Sequence, residues 1–258
     1  MRLSTFCDRL DDELRTSDYA ALDASANGLQ VGPREGVVER VAFCTDGVRE
    51  TIQKAADWGA DAMVCHHGVS WGGIERVTER AHDRVAPLIE NDVALYVSHL
   101  PLDGHQELGN AAGVADVLGL DAREPFGAVG PEYAGTRGRL PGPTTSDALR
   151  DVLESGLSTG GQPVQVLDHG PDELRDVAIV TGDGSDYVDE AARKDVDVLV
   201  TGEAKQKTYH EAREVDLTVV LAGHYATETF GVRNLQSWIE TDWDDPLETT
   251  FFDVPTGI

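Results

Sequence analysis

The sequence predicts an α/β protein built of two related halves with mainly parallel sheets, and three observations carry that expectation. Short apolar runs of strand length alternate with amphipathic helical stretches along most of the 258 residues. The alternation occurs twice in the same order. Each copy closes on a histidine followed four residues later by a carboxylate, His99 with Asp103 and His224 with Glu228.

The first copy reads as a strand over 41–45, a helix over 50–58 and a strand over 60–65, then a helix over 80–91 and a strand into His99. The second reads as a strand over 177–181, a helix over 187–194 and a strand over 196–201, then a helix over 209–215 and a strand into His224. Val41, Ala42, Thr45, Ala55, Ala56, Asp61 and Val64 recur without a gap as Val177, Ala178, Thr181, Ala191, Ala192, Asp197 and Val200. Any two such units share Val and Ala, so the identities alone are suggestive. The shared His-x-x-x-acid ending strengthens them. Sequential units of this kind favour right-handed crossovers and parallel pairing, with functional groups at the carboxyl ends of strands. The stretch from Asp121 to Ser146 is rich in Gly and Pro (Gly127, Gly130, Pro131, Gly135, Pro141 among them) and reads as a connection. The halves are therefore expected at 1–125 and 126–258, with a metal site in the cleft between them.

Composition narrows the partners. Asp and Glu number 47 against 21 Lys and Arg, a formal net charge of −26, and only Lys54, Lys194, Lys205 and Lys207 are lysine. Such a surface repels nucleic acid phosphates and anionic membranes. It suits high salt, where the Debye length falls to about 3 Å and self-repulsion costs little; attraction of cationic partners is the competing explanation. Cys7, Cys44 and Cys65 form no CxxC, which fits a reducing interior. Cys65 could be a thiolate ligand or simply a small buried strand residue. No apolar run has the length of a membrane span and the N-terminus lacks a signal-peptide core. A soluble, cytoplasmic protein is expected.

The chemistry lies in the histidines. Adjacent His66 and His67 at a strand end cannot both face one core, because successive strand residues point to opposite faces. Where the strand dissolves into Gly68-Val-Ser-Trp71-Gly-Gly73 they can splay towards two nearby metals, or serve as one solvent-facing and one capping residue. His224 and Glu228 straddle a helix start after Gly223, and one helical turn stacks i and i+4 on one face. Such a pair can face one ion or form a surface hydrogen bond. Asp103 could bridge metals. His66, His67, Asp103, His224 and Glu228 exceed the three ligands of a single catalytic zinc and suit a two-metal site. His99 and Glu203 are candidates for orienting groups or relaying protons, while His82, His105 and His169 read as surface residues. Asn27-Gly-Leu-Gln-Val-Gly32 reads as a phosphate-cradling turn or as a tight turn leading into a strand. It lacks the Lys-Thr/Ser pair of a P-loop.

These residues carry a resemblance to the Nif3-like (DUF34) family. The motifs are Asn27-Gly-Leu-Gln-Val-Gly32, Cys65-His-His-Gly68 with Trp71-Gly-Gly73, Tyr96-Val-Ser-His-x3-Asp103, Thr201-Gly-Glu203 with His210-Glu-Ala-Arg213, and Ala222-Gly-His-Tyr-Ala-Thr-Glu228. They span roughly 27–238. One departure is Ala26, where many members carry Asp. The resemblance implies a Nif3-like fold and two divalent metal ions per chain (Zn, Fe or Mn) held by His66, His67, Asp103, His224 and Glu228. It places His99 only as a neighbour, and implies a toroidal homohexamer of the short form, without an inserted domain. The family is commonly labelled GTP cyclohydrolase 1 type 2 homologue. The function expected is a metal-dependent hydrolase of a small-molecule substrate, with a non-catalytic metal-handling scaffold or regulatory ring as the alternative. A triphosphate wants Arg or Lys clamps; Lys205, Lys207 and Arg213 offer one, or form a solvated helix face.

Overall fold

The computed structural model describes residues 1–33 and 35–257. The chain forms two compact units: Met1–Leu102 with Gly231–Val254, and Asp103–Phe230 with Pro255–Ile258.

In the first unit, helix α1 (Leu3–Leu14) buries Leu3, Phe6, Cys7, Leu10 and Leu14, an i, i+3/i+4, i+7 stripe along one face. Strands β1 (Gly28–Val31) and β2 (Arg40–Asp46), helix α2 (Arg49–Trp58), strand β3 (Ala62–His67), helix α3 (Glu79–Glu90) and strand β4 (Ala94–Val97) follow. β2, β3 and β4 pair in parallel, and β1 lies antiparallel on the outer side of β4. Ala42, Cys44, Met63, Cys65, Leu95 and Val97 meet Ile52, Ala55 and Leu88 in a core whose β3 residues are buried through His66. Strands covered in this way read as continuous apolar runs, which is why they were legible in the sequence. The short helix α4 (Leu100–Gly104) carries the chain into the second unit.

There, helix α5 (Asn110–Leu118) precedes strands β5 (Asp121–Val129) and β6 (Glu132–Thr144), then α6 (Ser146–Gly156), β7 (Gln165–Leu167) and β8 (Leu174–Ile179). Helix α7 (Val188–Arg193), β9 (Val198–Thr201), α8 (Lys207–Glu214), β10 (Thr218–Leu221) and the single-turn α9 (His224–Thr227) complete it. The strand order is β5-β6-β8-β9-β10-β7, with β8, β9 and β10 parallel. Helix α10 (Thr229–Asp242) then returns the chain to the first unit, where β11 (Glu248–Phe251) pairs in parallel with β2.

The halves expected at 1–125 and 126–258 differ from these units, which exchange chain at Leu102/Asp103 and again after Phe230. The Gly/Pro-rich stretch is not a connection. It is the β5–β6 hairpin, turning at Gly130 (φ 61°), and β6 also pairs with β8. Gly135 sits where a Cβ would collide with the carbonyl of Ile179, so glycine there permits close strand approach rather than flexibility.

The repeat is present in the hydrogen bonds. Asp61 Oδ2 accepts from the backbone N–H groups of Glu39 (2.8 Å) and Arg40 (2.9 Å), anchoring the start of β2. Asp197 Oδ2 accepts from those of Arg175 and Asp176 (2.8 Å each), anchoring β8. Register nevertheless corrects the shared ending. Cys65 lies opposite Val97, and Thr201 opposite Leu221. His99 therefore corresponds to Gly223, and His224 comes one residue later. The chain continues from Ser98 into α4 in one copy, but turns at Gly223 (φ 94°) before α9 in the other.

Candidate metal centre

The end of β3 delivers two adjacent imidazoles in the first unit. His66 is fully buried and its Nδ1 lies 2.9 Å from the Ser98 carbonyl. His67 is half-buried, with Nδ1 2.8 Å from Asp46 Oδ1 at the end of β2. His99, just past β4, places Nδ1 2.9 and 3.1 Å from the two oxygens of Asp23. The three rings pack tilted against one another at centroid separations of 4.5, 5.0 and 5.7 Å, with the Trp71 ring edge-on to that of His99 at 4.9 Å. One ligand nitrogen from each of the three lies within 4.8 Å of the others.

The segment before and along β1 builds this arrangement. Asp23, whose side chain is 2 % exposed, also accepts from the N–H groups of Ser25 (2.9 Å) and Leu100 (3.0 Å) and from Asn27 Nδ2 (2.8 Å). Burial alone would raise its carboxyl pKa. The hydrogen bond and charge of His99, then Asn27 and Ser25, outweigh burial and hold it at about 2. Asn27 Oδ1 receives the His99 N–H at 2.7 Å, and Gln30 Oε1 receives those of Val69 and Ser70 at 2.8 and 3.1 Å. The 27–32 motif is thus a turn and strand that hold the histidine loops, not a phosphate cradle. Sequence reasoning missed Asp23; the nearby Asn27-Gly28 turn was the only signal of a structured loop there.

In the second unit Asp103 is buried at 6 % exposure and accepts from Asn110 Nδ2 (2.8 Å), at the start of α5, and from Thr181 Oγ1 (3.1 Å). His224 opens α9 with Nδ1 2.9 Å from Glu203 Oε1 and Nε2 3.1 Å from Glu228 Oε2. Burial opposes the charged imidazole. The hydrogen bonds and charge of Glu228, then Glu203, overcome it and leave the pKa near 9. Glu228 is 3 % exposed, and one of its oxygens lies within 4.8 Å of one from Asp103. Gly182 (φ 61°) makes room, because a Cβ there would run into Glu228 Oε1 and lie 3.1 Å from His224 Nε2.

The remaining candidates divide. Glu203 is largely exposed and reaches His224, as an orienting group would. Cys65 is a buried core residue whose Sγ donates to the His67 carbonyl at 3.2 Å, and burial pushes its thiol well up. His82 is exposed; His105 and His169 are half-buried rather than on the surface. His105 Nδ1 accepts from Leu108 N at 2.9 Å and the His169 ring packs on Tyr209. Lys205 is engaged by Asp183 and Asp186, and Lys207 by Asp186 and Glu211, while Arg213 is exposed. That group is an ion-paired face. Beside Glu203, at the carboxyl ends of β9 and β10, an open pocket of about 350 Å³ is lined by Thr159, Gln162, Gln165, Glu203 and Gly223. Among the described residues no helix is long and apolar enough to cross a membrane. Each unit offers nitrogen or carboxylate donors pinned by neighbours, and these buried His, Asp and Glu groups could hold a metal ion.

Comparison with known proteins agrees with this fold. A protein of Halobacterium salinarum named GTP cyclohydrolase 1 type 2 homolog is 56 % identical over 258 residues, covering all of both chains. The solved structure of protein ybgI matches at TM-score 0.89 and 32 % identity, over the full length of each chain. TTHA1606 from Thermus thermophilus matches at TM-score 0.88 and 33 % identity, again over both full lengths. The profile of the Duf34/NIF3 (NGG1p interacting factor 3) family matches residues 1–256. The chain belongs to that family.

Proposed function

We propose that this Duf34/NIF3 protein is a metal-dependent hydrolase holding two divalent ions per chain through His66, His67, Asp103, His224 and Glu228. The observation that carries this reading is the pair of buried carboxylates, Asp103 and Glu228, with oxygens within 4.8 Å of each other and the His224 imidazole against one of them. Two carboxylates this close repel when both are ionised, and a shared cation removes that cost. The imidazole and carboxylate donors suit zinc, iron or manganese. Bound there, two such ions would supply Lewis-acid polarisation and acidify water near neutral pH. The protein's own contribution is orientation. Glu203 fixes His224, while Asn110 and Thr181 fix Asp103.

The pocket beside Glu203 gives a small molecule access to this unit. Purine nucleotides are the first substrates to screen, because curated relatives carry the GTP cyclohydrolase 1 type 2 homolog name. With Lys205 and Lys207 already paired to acids, recognition falls on the pocket's polar lining, Thr159, Gln162, Gln165 and Glu203, rather than on a lysine clamp. The reading extends to a cytoplasmic homohexameric ring, as the family resemblance implies, and to a salt-adapted surface, which the net charge of −26 supports. Light scattering in molar KCl tests the ring.

Metal per chain, measured by elemental analysis on wild type and Asp103→Ala purified in high salt, tests the centre. Near two ions per chain, falling sharply in the variant, are expected, with turnover of GTP or a phosphoester by the loaded wild type. One ion or none overturns the paired centre. Two ions without turnover across nucleotides and phosphoesters overturn the hydrolase and favour a metal-handling scaffold.

A further inference from the structure

The pocket at the carboxyl ends of β9 and β10 has a chemistry that selects its ligand. Its polar side chains are Thr159, Gln162, Gln165 and Glu203, while Leu221 and Ala222 add apolar surface. Gln165 of β7 pairs in register with Leu221 of β10, so the sheet fixes the spacing between amide and apolar floor. The backbone donors along that floor are already engaged. The N–H groups of Gly202 and Glu203 both donate to the Gly182 carbonyl at 2.9 Å. That of Ala222 donates to the Thr201 carbonyl at 2.8 Å, and that of Gly223 to the Gly202 carbonyl at 2.9 Å. A phosphate is held by converging N–H groups or by cations. Here those N–H groups have partners, the Lys205 amine sits against Asp183 and Asp186, and Glu203 places a carboxylate in the lining. What the lining does offer is planar and two-sided. A carboxamide sets an N–H donor beside a C=O acceptor, which matches a heterocycle carrying a ring nitrogen next to an amino group. A carboxylate accepts from such an amino group, and an apolar floor takes the face of the ring.

We propose that this pocket binds the uncharged nitrogen heterocycle of a nucleoside through Gln162, Gln165 and Glu203, and contributes nothing to the binding of phosphates. Its volume of about 350 Å³ lies near the lower end of the range for small-molecule sites, about 300–1,000 Å³, a size that suits a ring system with its sugar. The inference rests on the hydrolase reading for the pocket's being a substrate site, and narrows the substrate to one recognised by its base.

The test is calorimetry on the full chain in molar KCl after treatment with chelator, so that no ion contributes a phosphate contact and no turnover intrudes. Adenosine with ATP, guanosine with GTP, and inorganic triphosphate are titrated in turn. At least one nucleoside is expected to bind, its triphosphate no more tightly, and inorganic triphosphate not at all. Gln162→Ala and Gln165→Ala, both at exposed positions, are each expected to weaken nucleoside binding about three- to tenfold with circular dichroism unchanged. A nucleotide bound more tightly than its nucleoside, or triphosphate bound alone, overturns the inference. So does nucleoside affinity that neither glutamine variant alters, or the binding of no nucleoside. Elemental analysis of the chain as purified reports on the metal centre separately. Two ions with no nucleoside bound leave that centre standing and remove this inference, whereas a nucleoside bound by a chain purified without metal keeps the pocket and removes the hydrolase.

Discussion

The two β-α-β-α-β copies share a frame and differ at its working end. Both anchor their first strand through an aspartate, Asp61 or Asp197, that receives two backbone N–H groups. Both place three parallel strands side by side with an antiparallel strand beyond the last, β1 in one and β7 in the other. At the end of the middle strand the first copy has His66-His67, whereas register puts Gly202-Glu203, just past β9, at the matching positions. The first copy thus contributes imidazoles backed by carboxylates and a carbonyl. The second contributes carboxylates and one imidazole, and needs glycine where the first tolerates a ring. One scaffold therefore yields two donor sets of different hardness, because strand-end residues are free to change while the anchors hold.

Breaking the anchors should have the largest effect. Asp61→Ala and Asp197→Ala each orphan two backbone donors, a loss of about 3 kcal/mol per unit. Urea unfolding followed by fluorescence and circular dichroism should show midpoints lowered to a similar extent in the two variants. A loss confined to one variant would mean that the copies share a pattern but not its energetics. Slightly smaller, about 2 to 3 kcal/mol, is the cost expected of Gly202→Ala, by overpacking. A Cβ at 202 would come within 2.6 Å of His224 Cα and 2.8 Å of the Gly182 carbonyl. Its thermal midpoint should fall and its metal content with it, unless the second copy can accommodate a side chain where the first holds His66.

How much of this was legible beforehand follows from the same comparison. The parallel strands showed as unbroken apolar runs because both their faces are covered, and the histidines stood out because an adjacent pair at a strand end has no packing purpose. The β5–β6 hairpin was misread as a connection because Gly135 and its neighbours permit close strand approach, while composition alone reports only the breaking of helices. Spacing suggested that the His99 and His224 motifs were equivalent, yet they differ by one residue, since counting along the chain is blind to the register that fixes position in a sheet. Asp23 was invisible for a further reason. It lies 76 residues from His99, and no local pattern announces a carboxylate that acts at that distance.

Acid should act on the first copy through Asp23 by about 2 kcal/mol. Its carboxyl is held at about 2 against an ordinary 3.8. A lowered native pKa contributes stability that is complete above the ordinary value and disappears as pH falls through about 2. Between pH 4 and 2 the wild type should therefore lose about 2 kcal/mol that Asp23→Asn never had. Urea midpoints of the pair should converge as the pH is lowered; a constant gap across that range would show that Asp23 acts through shape rather than charge.

The smallest effect is expected at Lys205 and Lys207, the residues that a triphosphate reading would single out. Both lie on the surface, and their pairing with Asp183, Asp186 and Glu211 lowers the Asp186 pKa, chiefly through the Lys205 and then the Lys207 hydrogen bond. Exposed pairs of this kind are screened by salt, strongly so at molar concentrations. Lys205→Ala and Lys207→Ala should leave the thermal midpoint in molar KCl unchanged. They should also leave any affinity for GTP unchanged, measured by calorimetry beside inorganic triphosphate. A large loss of GTP affinity in either variant would mean that the acids release the lysines when a polyanion arrives, and would move the substrate's phosphates onto this face of the second unit.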